Sequence, residues 1–110
     1  MLTFNLSKCY IIAEIGGNFT TYDQAVKLID AAKRSGVDCI KLQTFTADTI
    51  SSKDAKFNIK GKGEISQYEH FKKYELSKAQ HYDIFSYAKL KGLDFFSTPS
   101  HRTDVDILES

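Results

Sequence analysis

The sequence predicts a parallel α/β fold built from successive strand–helix units. Three short apolar segments, over residues 10–15, 38–44 and 93–97, have the length and composition of buried strands, and amphipathic helical segments separate them. Each apolar segment becomes polar at its C-terminal end. Strands that alternate with helices form parallel sheets, in which functional residues follow the carboxyl ends of the strands. The polar ends therefore predict a functional site at one edge of the sheet.

The first helix is predicted between Thr21 and Gly36. Thr21 and Gln24 have the spacing of a capping box, in which each side chain accepts a hydrogen bond from the other residue's backbone N–H. Gly36 is the residue type that commonly ends a helix. Before the helix, Gly16 and Gly17 end the first strand and predict a tight turn. The apolar residues that follow the cap recur at helical spacing: Ala25, Leu28, Ile29 and Ala32.

The second helix is predicted over residues 77–91. Ser77 and Gln80 form a second capping box, and Gly92 ends the helix. We expect His81 to lie on the exposed side of this helix. Its apolar face is predicted to consist of Ile84, Phe85 and Ala88.

A third helix is predicted after the third strand, with Ser100 or Thr103 as its N-cap. The corner at which a helix leads into a strand has the same pattern in residues 32–38 and 88–94. This internal repeat supports repeated strand–helix units and predicts that Lys41 lies level with Ser97 in the sheet.

Three strands cannot close a barrel. An eight-unit barrel takes about 250 residues, whereas this chain has 110 and its third helix is unfinished at the last residue. We therefore expect residues 1–110 to be the N-terminal portion of a (β/α)8 TIM barrel, about three strand–helix units, with the rest of the barrel absent.

The connection between the second strand and the second helix is unusually long, over residues 46–76. At the carboxyl ends of the strands, such an insertion is expected to wall or cover a site. A short helix within it is predicted to carry an aromatic group formed by Tyr68, Phe71 and Tyr74.

The composition excludes several classes of function. A net charge of +1 gives no electrostatic reason to bind nucleic acid or an anionic membrane surface. No apolar run approaches the length of a membrane span and no signal peptide is recognisable, so we expect a cytoplasmic protein. The two cysteines, Cys9 and Cys39, are too few for a disulfide framework, and we expect two reduced core thiols.

Lys41 and Gln43 are unusual because they share one face of an otherwise apolar strand. A parallel strand covered on both faces is nearly all apolar, so this face is predicted to look into a polar cavity. There Lys41 would be a fixed cation for a phosphate or a carboxylate. The alternative is a lysine that extends from the strand end into water or pairs with a structural acid.

Glu14 lies in the first apolar strand, where a buried carboxylate is costly unless it is paired or functional. It is a candidate general acid or base, or a hydrogen-bond acceptor for substrate hydroxyls. The alternative is an ion pair with Lys41 across adjacent strands. The two readings are compatible, because such a pair can open to receive a substrate.

Ser97 and Thr98 are candidates to donate hydroxyl and backbone N–H hydrogen bonds to an anion, although these residues alone favour the alternative, a capping turn into the third helix. Asn18 is a candidate substrate-binding amide or a turn residue. The histidines show no metal-ligand spacing, and a solvated or capping role is expected for each: His70, His81 and His101.

Taken in order, these motifs resemble those of the sialic acid synthase (N-acetylneuraminate synthase) family. Several independent motifs in the same order are more specific than any one of them. The matching stretches are IIAEIGGN (residues 11–18), AVKLIDAAKRSGVD (25–38), KLQTF (41–45), KKYELS (72–77) and GLDFFSTPSHRTDVDILE (92–109).

The resemblance implies a (β/α)8 barrel, often followed by an antifreeze-like domain. It also implies condensation of phosphoenolpyruvate with an N-acylmannosamine-type sugar, which gives a nine-carbon 2-keto acid and phosphate. A divalent metal, manganese or magnesium, would polarise the sugar aldehyde, with its ligands on later strands outside this chain. We also expect a homodimer.

Four residues match functional positions of that family. The resemblance places Glu14 at the reacting carbons, where it would position sugar or water, and implies that Lys41 holds phosphoenolpyruvate. Thr98 matches a hydroxyl that contacts phosphate, and Gln43 resembles a sugar contact. Phe19 stands where many members have histidine.

Two other functional classes remain open at the level of sequence. In the first, the chain is a non-catalytic truncated module that self-associates through open sheet edges. In the second, it is part of a phosphosugar-binding barrel with isomerase-type chemistry.

Overall fold

The computed structural model describes residues 7–110, which form two sheets and five helices. In chain order the elements are β1 (Ile12–Glu14), α1 (Tyr22–Ser35), β2 (Cys39–Thr44), α2 (Ala47–Ile50), β3 (Lys56–Ile59), β4 (Gly63–Ser66), α3 (Gln67–Tyr74), α4 (Lys78–Leu90), β5 (Asp94–Pro99) and α5 (Arg102–Glu109).

The main sheet has the strand order β1–β2–β5, and both pairs are parallel. The crossovers pass through α1 and, after the insertion, through α4, as repeated strand–helix units require. The expected fold class, a parallel α/β arrangement of about three strand–helix units, is therefore confirmed.

The predicted register between β2 and β5 is wrong by one residue. Lys41 lies beside Phe96, and Ser97 lies beside Leu42. The repeated corner aligns Asp38 with Asp94, but Asp94 N–H donates to the Asp38 carbonyl and pairs in register with Cys39. The hydrogen bonds of parallel strands are slanted, so matching sequence positions need not lie level. A shift of one residue moves Ser97 to the opposite face of the sheet from Lys41.

The helix caps follow from local sequence. Both predicted capping boxes are present, and Gly36 ends α1 with a left-handed φ of 86°. The N-cap of α5 is His101, so the prediction of Ser100 or Thr103 is wrong. His101 Nδ1 accepts a hydrogen bond from Thr103 N–H at 3.2 Å, which confirms the capping role expected for this histidine. Among residues 7–110, no helix has both the length and the apolar character that crossing a membrane requires.

The core lies between one face of the main sheet and the helices α1 and α4. Ile40 and Leu42 of β2 are fully buried there. The α1 and α4 residues of this core are Ala25, Ile29, Ala32, Ile84 and Ala88.

Two expectations for α4 are corrected by this packing. Phe85 is 40% exposed, because its ring packs at the edge of the core against Phe95 at a centroid distance of 5.5 Å. His81 is only 6% exposed, where we expected it on the solvent side.

The insertion is an ordered substructure. It contains α2, the antiparallel hairpin β3–β4 and α3. Phe71 of α3 packs edge-on against Phe45 and Phe57, at centroid distances of 5.4 and 5.7 Å. Glu75 accepts a hydrogen bond from Ala47 N–H at 2.8 Å, which ties the end of α3 to the start of α2. The expected aromatic group does lie on a short helix, whereas the hairpin was not predicted.

Gly16, just after β1, lies directly against β2. A Cβ atom at this position would be 2.6 Å from the backbone nitrogen of Gln43 and 2.7 Å from a carboxylate oxygen of Glu14. Ile15 N–H donates to the Lys41 carbonyl at 3.0 Å, so the sheet pairing continues up to this glycine. Only glycine allows so close an approach.

The cysteines differ in exposure, so the expectation of two core thiols is half wrong. Both are free, but Cys9 is exposed and Cys39 is fully buried. Burial raises the pKa of the Cys39 thiol.

We predict that Gly16→Ala lowers the free energy of unfolding by about 1–3 kcal/mol, the cost of overpacking against a backbone that cannot easily move. The matched control is Gly61→Ala, because a Cβ there meets no atom within 4 Å and carries only the strain of a left-handed φ of 84°. Urea denaturation measures the stability change. An NMR spectrum should show a shift of the Gln43 amide in Gly16→Ala only, and an unshifted amide would contradict the packing.

We predict that one thiol per folded chain reacts rapidly with a disulfide reagent and that the second reacts only after denaturation. The thiolate is the nucleophile, and Cys39 is both inaccessible and held protonated. The rapid phase should disappear in Cys9→Ala. Its persistence would show that Cys39 is accessible.

Candidate active site

The candidate site lies on the face of the main sheet opposite the helices α1 and α4, at the carboxyl ends of the strands. Glu14 pairs in register with Lys41, and Gln43 pairs with Thr98. Residues paired in this way point to the same face. The sheet therefore brings together four of the predicted site residues.

Lys41 and Glu14 form an ion pair across β1 and β2. The Lys41 Nζ to Glu14 Oε2 distance is 2.5 Å, and the side chains are 26% and 35% exposed. The second oxygen of Glu14, Oε1, accepts a hydrogen bond from Gly16 N–H at 2.7 Å. Both carboxylate oxygens thus have donors, and Glu14 is fixed as an acceptor at the strand end.

The contacts of Lys41 with residues 7–110 leave part of its donor capacity unused. An ammonium group has three N–H donors, and Glu14 takes one of them in the observed pair. The partial exposure of Lys41 lets an anionic group approach the other donors from solvent. The pair therefore presents a positioned cation beside a positioned carboxylate.

Gln43 and Thr98 extend the polar surface beyond that pair. Both are exposed and occupy neighbouring strands at the same level. An amide and a hydroxyl each supply donors and acceptors. Together with Lys41, they form a surface suited to a small polar anion or a sugar.

Asn18 is a turn residue in this structure. Its Nδ2 donates to the Gly16 carbonyl at 3.1 Å, and its backbone N–H donates to the Ile15 carbonyl at 3.3 Å. These hydrogen bonds stabilise the turn in which Gly16 and Gly17 lie against Gln43. The side chain amide of Asn18 is thereby engaged with the backbone of its own turn.

Ser97 does not join the other predicted site residues, because it points to the helix side of the sheet. Its Oγ lies 2.6 Å from Thr44 Oγ1, and Thr44 Oγ1 lies 2.8 Å from His81 Nε2. His81 Nδ1 lies 2.8 Å from the Ser77 carbonyl oxygen. We call Ser97, Thr44, His81 and the Ser77 carbonyl the hydroxyl–imidazole network; Thr44 and His81 are buried, and Ser97 is half-buried.

Sequence reasoning missed this network although signals for it exist. His81 precedes Ile84 and Ala88 by three and seven residues, the spacing of one helix face. Thr44 belongs to the same face of β2 as Ile40 and Leu42, both fully buried. His81 is thus a polar residue on the apolar face of α4, and Thr44 is a polar residue on the apolar face of β2. Because these two elements pack together, such a pair indicates a buried hydrogen bond between them.

The residues of the described part of the chain do not offer a metal site. Within residues 7–110 no group of three His, Cys, Asp or Glu side chains is placed to hold a metal ion. His70 packs among aromatic rings, 4.9 Å from Tyr74 and 5.5 Å from Phe57 between centroids. The donor set for the expected divalent metal is therefore not present in these residues.

Phe19 is a core residue. It is 3% exposed and packs within the cluster formed by the sheet and its covering helices. Its ring does not belong to the polar face that carries Lys41.

A solved structure has the same fold as this chain. The match is to an N-acetylneuraminic acid (sialic acid) synthetase from Leptospira borgpetersenii serovar Hardjo-bovis, crystallised with citrate, with a TM-score of 0.72 and 23% identity. It covers 91% of this chain but 32% of the synthetase. This likeness establishes the fold.

Curated relatives match at higher identity over shorter stretches. Pseudaminic acid synthase from Campylobacter jejuni is 46% identical over 57 residues, which is 49% of this chain and 17% of that protein. N,N'-diacetyllegionaminic acid synthase from Legionella pneumophila is 45% identical over 69 residues, 58% of this chain and 19% of that protein. The matched stretches are thus less than a fifth of these relatives' length.

The profile of one protein family matches most of the chain. Residues 28–110 match the NeuB family, a range that includes β2 and β5 with Lys41, Gln43 and Thr98. The chain therefore belongs to the NeuB family.

Proposed function

We propose that this chain forms the first strands of a synthase that makes a sialic acid-like sugar acid, and that residues toward the carboxyl ends of these strands bind substrate. The reaction would condense phosphoenolpyruvate with an N-acylmannosamine-type sugar to a nine-carbon 2-keto acid and release phosphate. The observation that carries the proposal is the ion pair between Glu14, at the carboxyl end of β1, and Lys41, which lies level with it in β2, with Gln43 and Thr98 on the same face. Membership of the NeuB family supports it.

Lys41 is proposed to bind an anionic group of phosphoenolpyruvate. Charge-assisted hydrogen bonds to phosphate and carboxylate oxygens are among the strongest in proteins. An incoming anion would compete with Glu14 for the ammonium group, so the observed pair would open as substrate binds. Thr98 would donate its hydroxyl to the phosphate, and Gln43 would hydrogen-bond the sugar.

The proposed reaction consists of two additions followed by one elimination. C3 of the enol attacks the sugar aldehyde and forms the new C–C bond, while the aldehyde oxygen takes up a proton. Water then adds at the cationic C2 and gives up one proton to solvent. The tetrahedral intermediate collapses with cleavage of the C2–O bond to phosphate, and the departing phosphate takes the remaining hydroxyl proton as the keto group forms. Glu14, released from Lys41, would position the sugar or the water through its carboxylate oxygens.

A divalent metal, manganese or magnesium, is proposed to belong to the full-length protein. Because residues 7–110 hold no suitable donor cluster, its ligands would come from segments outside this chain. When bound, the metal would polarise the sugar aldehyde.

The wider context of the protein is likewise a proposal. We propose that residues 1–110 are the N-terminal segment of a complete barrel, in a homodimeric protein of the cytoplasm. Light scattering of the full-length protein and fractionation of its host cells test the last two points.

We predict that Lys41→Ala in the full-length protein lowers kcat/KM for phosphoenolpyruvate by about 100-fold or more, as expected when a charged donor to the reacting substrate is removed. Phosphate release is measured with manganese, phosphoenolpyruvate and a panel of N-acylated hexosamines. The control is Lys56→Ala, because Lys56 lies on the hairpin and pairs with Glu64 there. Lys56→Ala should retain wild-type activity. Release that is independent of sugar, or unaffected by Lys41→Ala, would contradict the proposal.

We predict that the isolated 110-residue chain shows no sugar-dependent phosphate release under the same conditions. Its sheet supplies three parallel strands, and a barrel site draws residues from the ends of many strands. Product formation by the isolated chain would show that the residues described above suffice for catalysis.

A further inference from the structure

His81 connects the start of α4 to the carboxyl ends of both β2 and β5. The side chain is 6% exposed, and each ring nitrogen has a partner at 2.8 Å, the Ser77 carbonyl for Nδ1 and Thr44 Oγ1 for Nε2. Thr44, itself 1% exposed, continues the network to Ser97 at 2.6 Å. One histidine thus holds two strand ends relative to one helix.

The chemistry of the partners fixes the direction of the hydrogen bonds. A carbonyl oxygen can only accept a hydrogen bond, so His81 Nδ1 carries a proton and donates a hydrogen bond to the Ser77 carbonyl oxygen. With the proton on Nδ1, Nε2 accepts from the Thr44 hydroxyl, which in turn accepts from the Ser97 hydroxyl.

The two hydroxyl residues are next to candidate substrate contacts. Thr44 follows Gln43 in β2, and Ser97 precedes Thr98 in β5. Because successive residues of a strand point to opposite faces, fixing Thr44 and Ser97 on the helix side orients Gln43 and Thr98 on the site side. Leu42, beside Ser97 in the register, is buried by packing and makes no such directional link.

We propose that His81 is a positioning residue, which sets the orientation of Gln43 and Thr98 for substrate through Thr44 and Ser97. This inference rests on the proposed function for the reaction that it serves, but the network itself is independent of that function. Buried polar groups must all be satisfied to be tolerated, and a satisfied network defines a single arrangement more strictly than apolar packing does. A displacement of about 1 Å at a site can cost about 100-fold in rate.

The kinetic test compares Thr44→Val with Thr44→Ser in the full-length protein. Valine keeps the shape of threonine without the hydroxyl, whereas serine keeps the hydroxyl. We expect Thr44→Val to lower kcat/KM by about 10- to 100-fold per folded molecule, and Thr44→Ser to remain within a few-fold of wild type. A purely structural role would reduce the folded fraction, measured by circular dichroism, but not kcat/KM per folded molecule. Equal kcat/KM for Thr44→Val and wild type overturns the proposal.

A second measurement needs no catalysis and no variant of His81. NMR of the 110-residue chain with 15N-labelled histidine reports which ring nitrogen carries the proton. We expect the proton on Nδ1 and none on Nε2, and a proton on Nε2 overturns the proposed direction of the network. This readout also remains informative if Thr44→Val fails to fold.

NMR of uniformly 15N-labelled protein separates failure of this inference from failure of the proposed function. Suppose that the wild-type full-length protein releases no phosphate with any sugar. The proposed function then fails, and positioning is judged from the backbone amide of Thr98, which lies on the neighbouring strand and is not adjacent in sequence to the substituted residue. This amide should shift in Thr44→Val and stay near wild type in Thr44→Ser. A Thr98 amide that is unchanged in Thr44→Val overturns the positioning role.

Discussion

The register of β2 between its two parallel neighbours determines which side chains meet at the candidate site. Because Glu14 lies level with Lys41 and Gln43 lies level with Thr98, four polar side chains share one face. The close approach of Gly16 to the Gln43 backbone holds the end of β1 in that register. A shift of one residue would move every side chain of the shifted strand to the opposite face, and the site residues would no longer lie together.

Alternating residues of β2 lie on two faces with different roles: one face packs in the core, and the other carries the candidate site. On the helix side, Ile40 and Leu42 are fully buried, and Thr44 is bonded to its neighbours at the strand end. On the site side, Lys41 is partly exposed and paired with Glu14. A partly exposed ion pair contributes about 1 kcal/mol or less to stability, whereas burial of two aliphatic side chains contributes several times more. The stability of the strand therefore comes from one face, which leaves the other face free to carry charge.

Local features of the sequence predicted local structure well, and long-range features were harder to predict. Both capping boxes depend on residues three positions apart, so Thr21 and Ser77 could be recognised directly. The Glu14–Lys41 pair was foreseeable because each is a charged residue in an otherwise apolar strand. The β2–β5 register depends on how two strands separated by the whole insertion are staggered, and the error of one residue placed Ser97 on the wrong face. The exposure of His81 was misjudged because its partner Thr44 is 37 residues away.

The position of Phe19 bears on how far the family resemblance can be carried. A histidine at this point in a relative has the polar atoms to take part in chemistry, and its replacement would then remove a functional group. Here the ring of Phe19 is 3% exposed and packs in the hydrophobic core between sheet and helices. The turn before it directs Gly16 toward Gln43, and Asn18 is bonded back to that turn. Phe19 therefore packs beneath the β1 turn and is not part of the face that carries Glu14 and Lys41, so the proposed chemistry of that face does not depend on it.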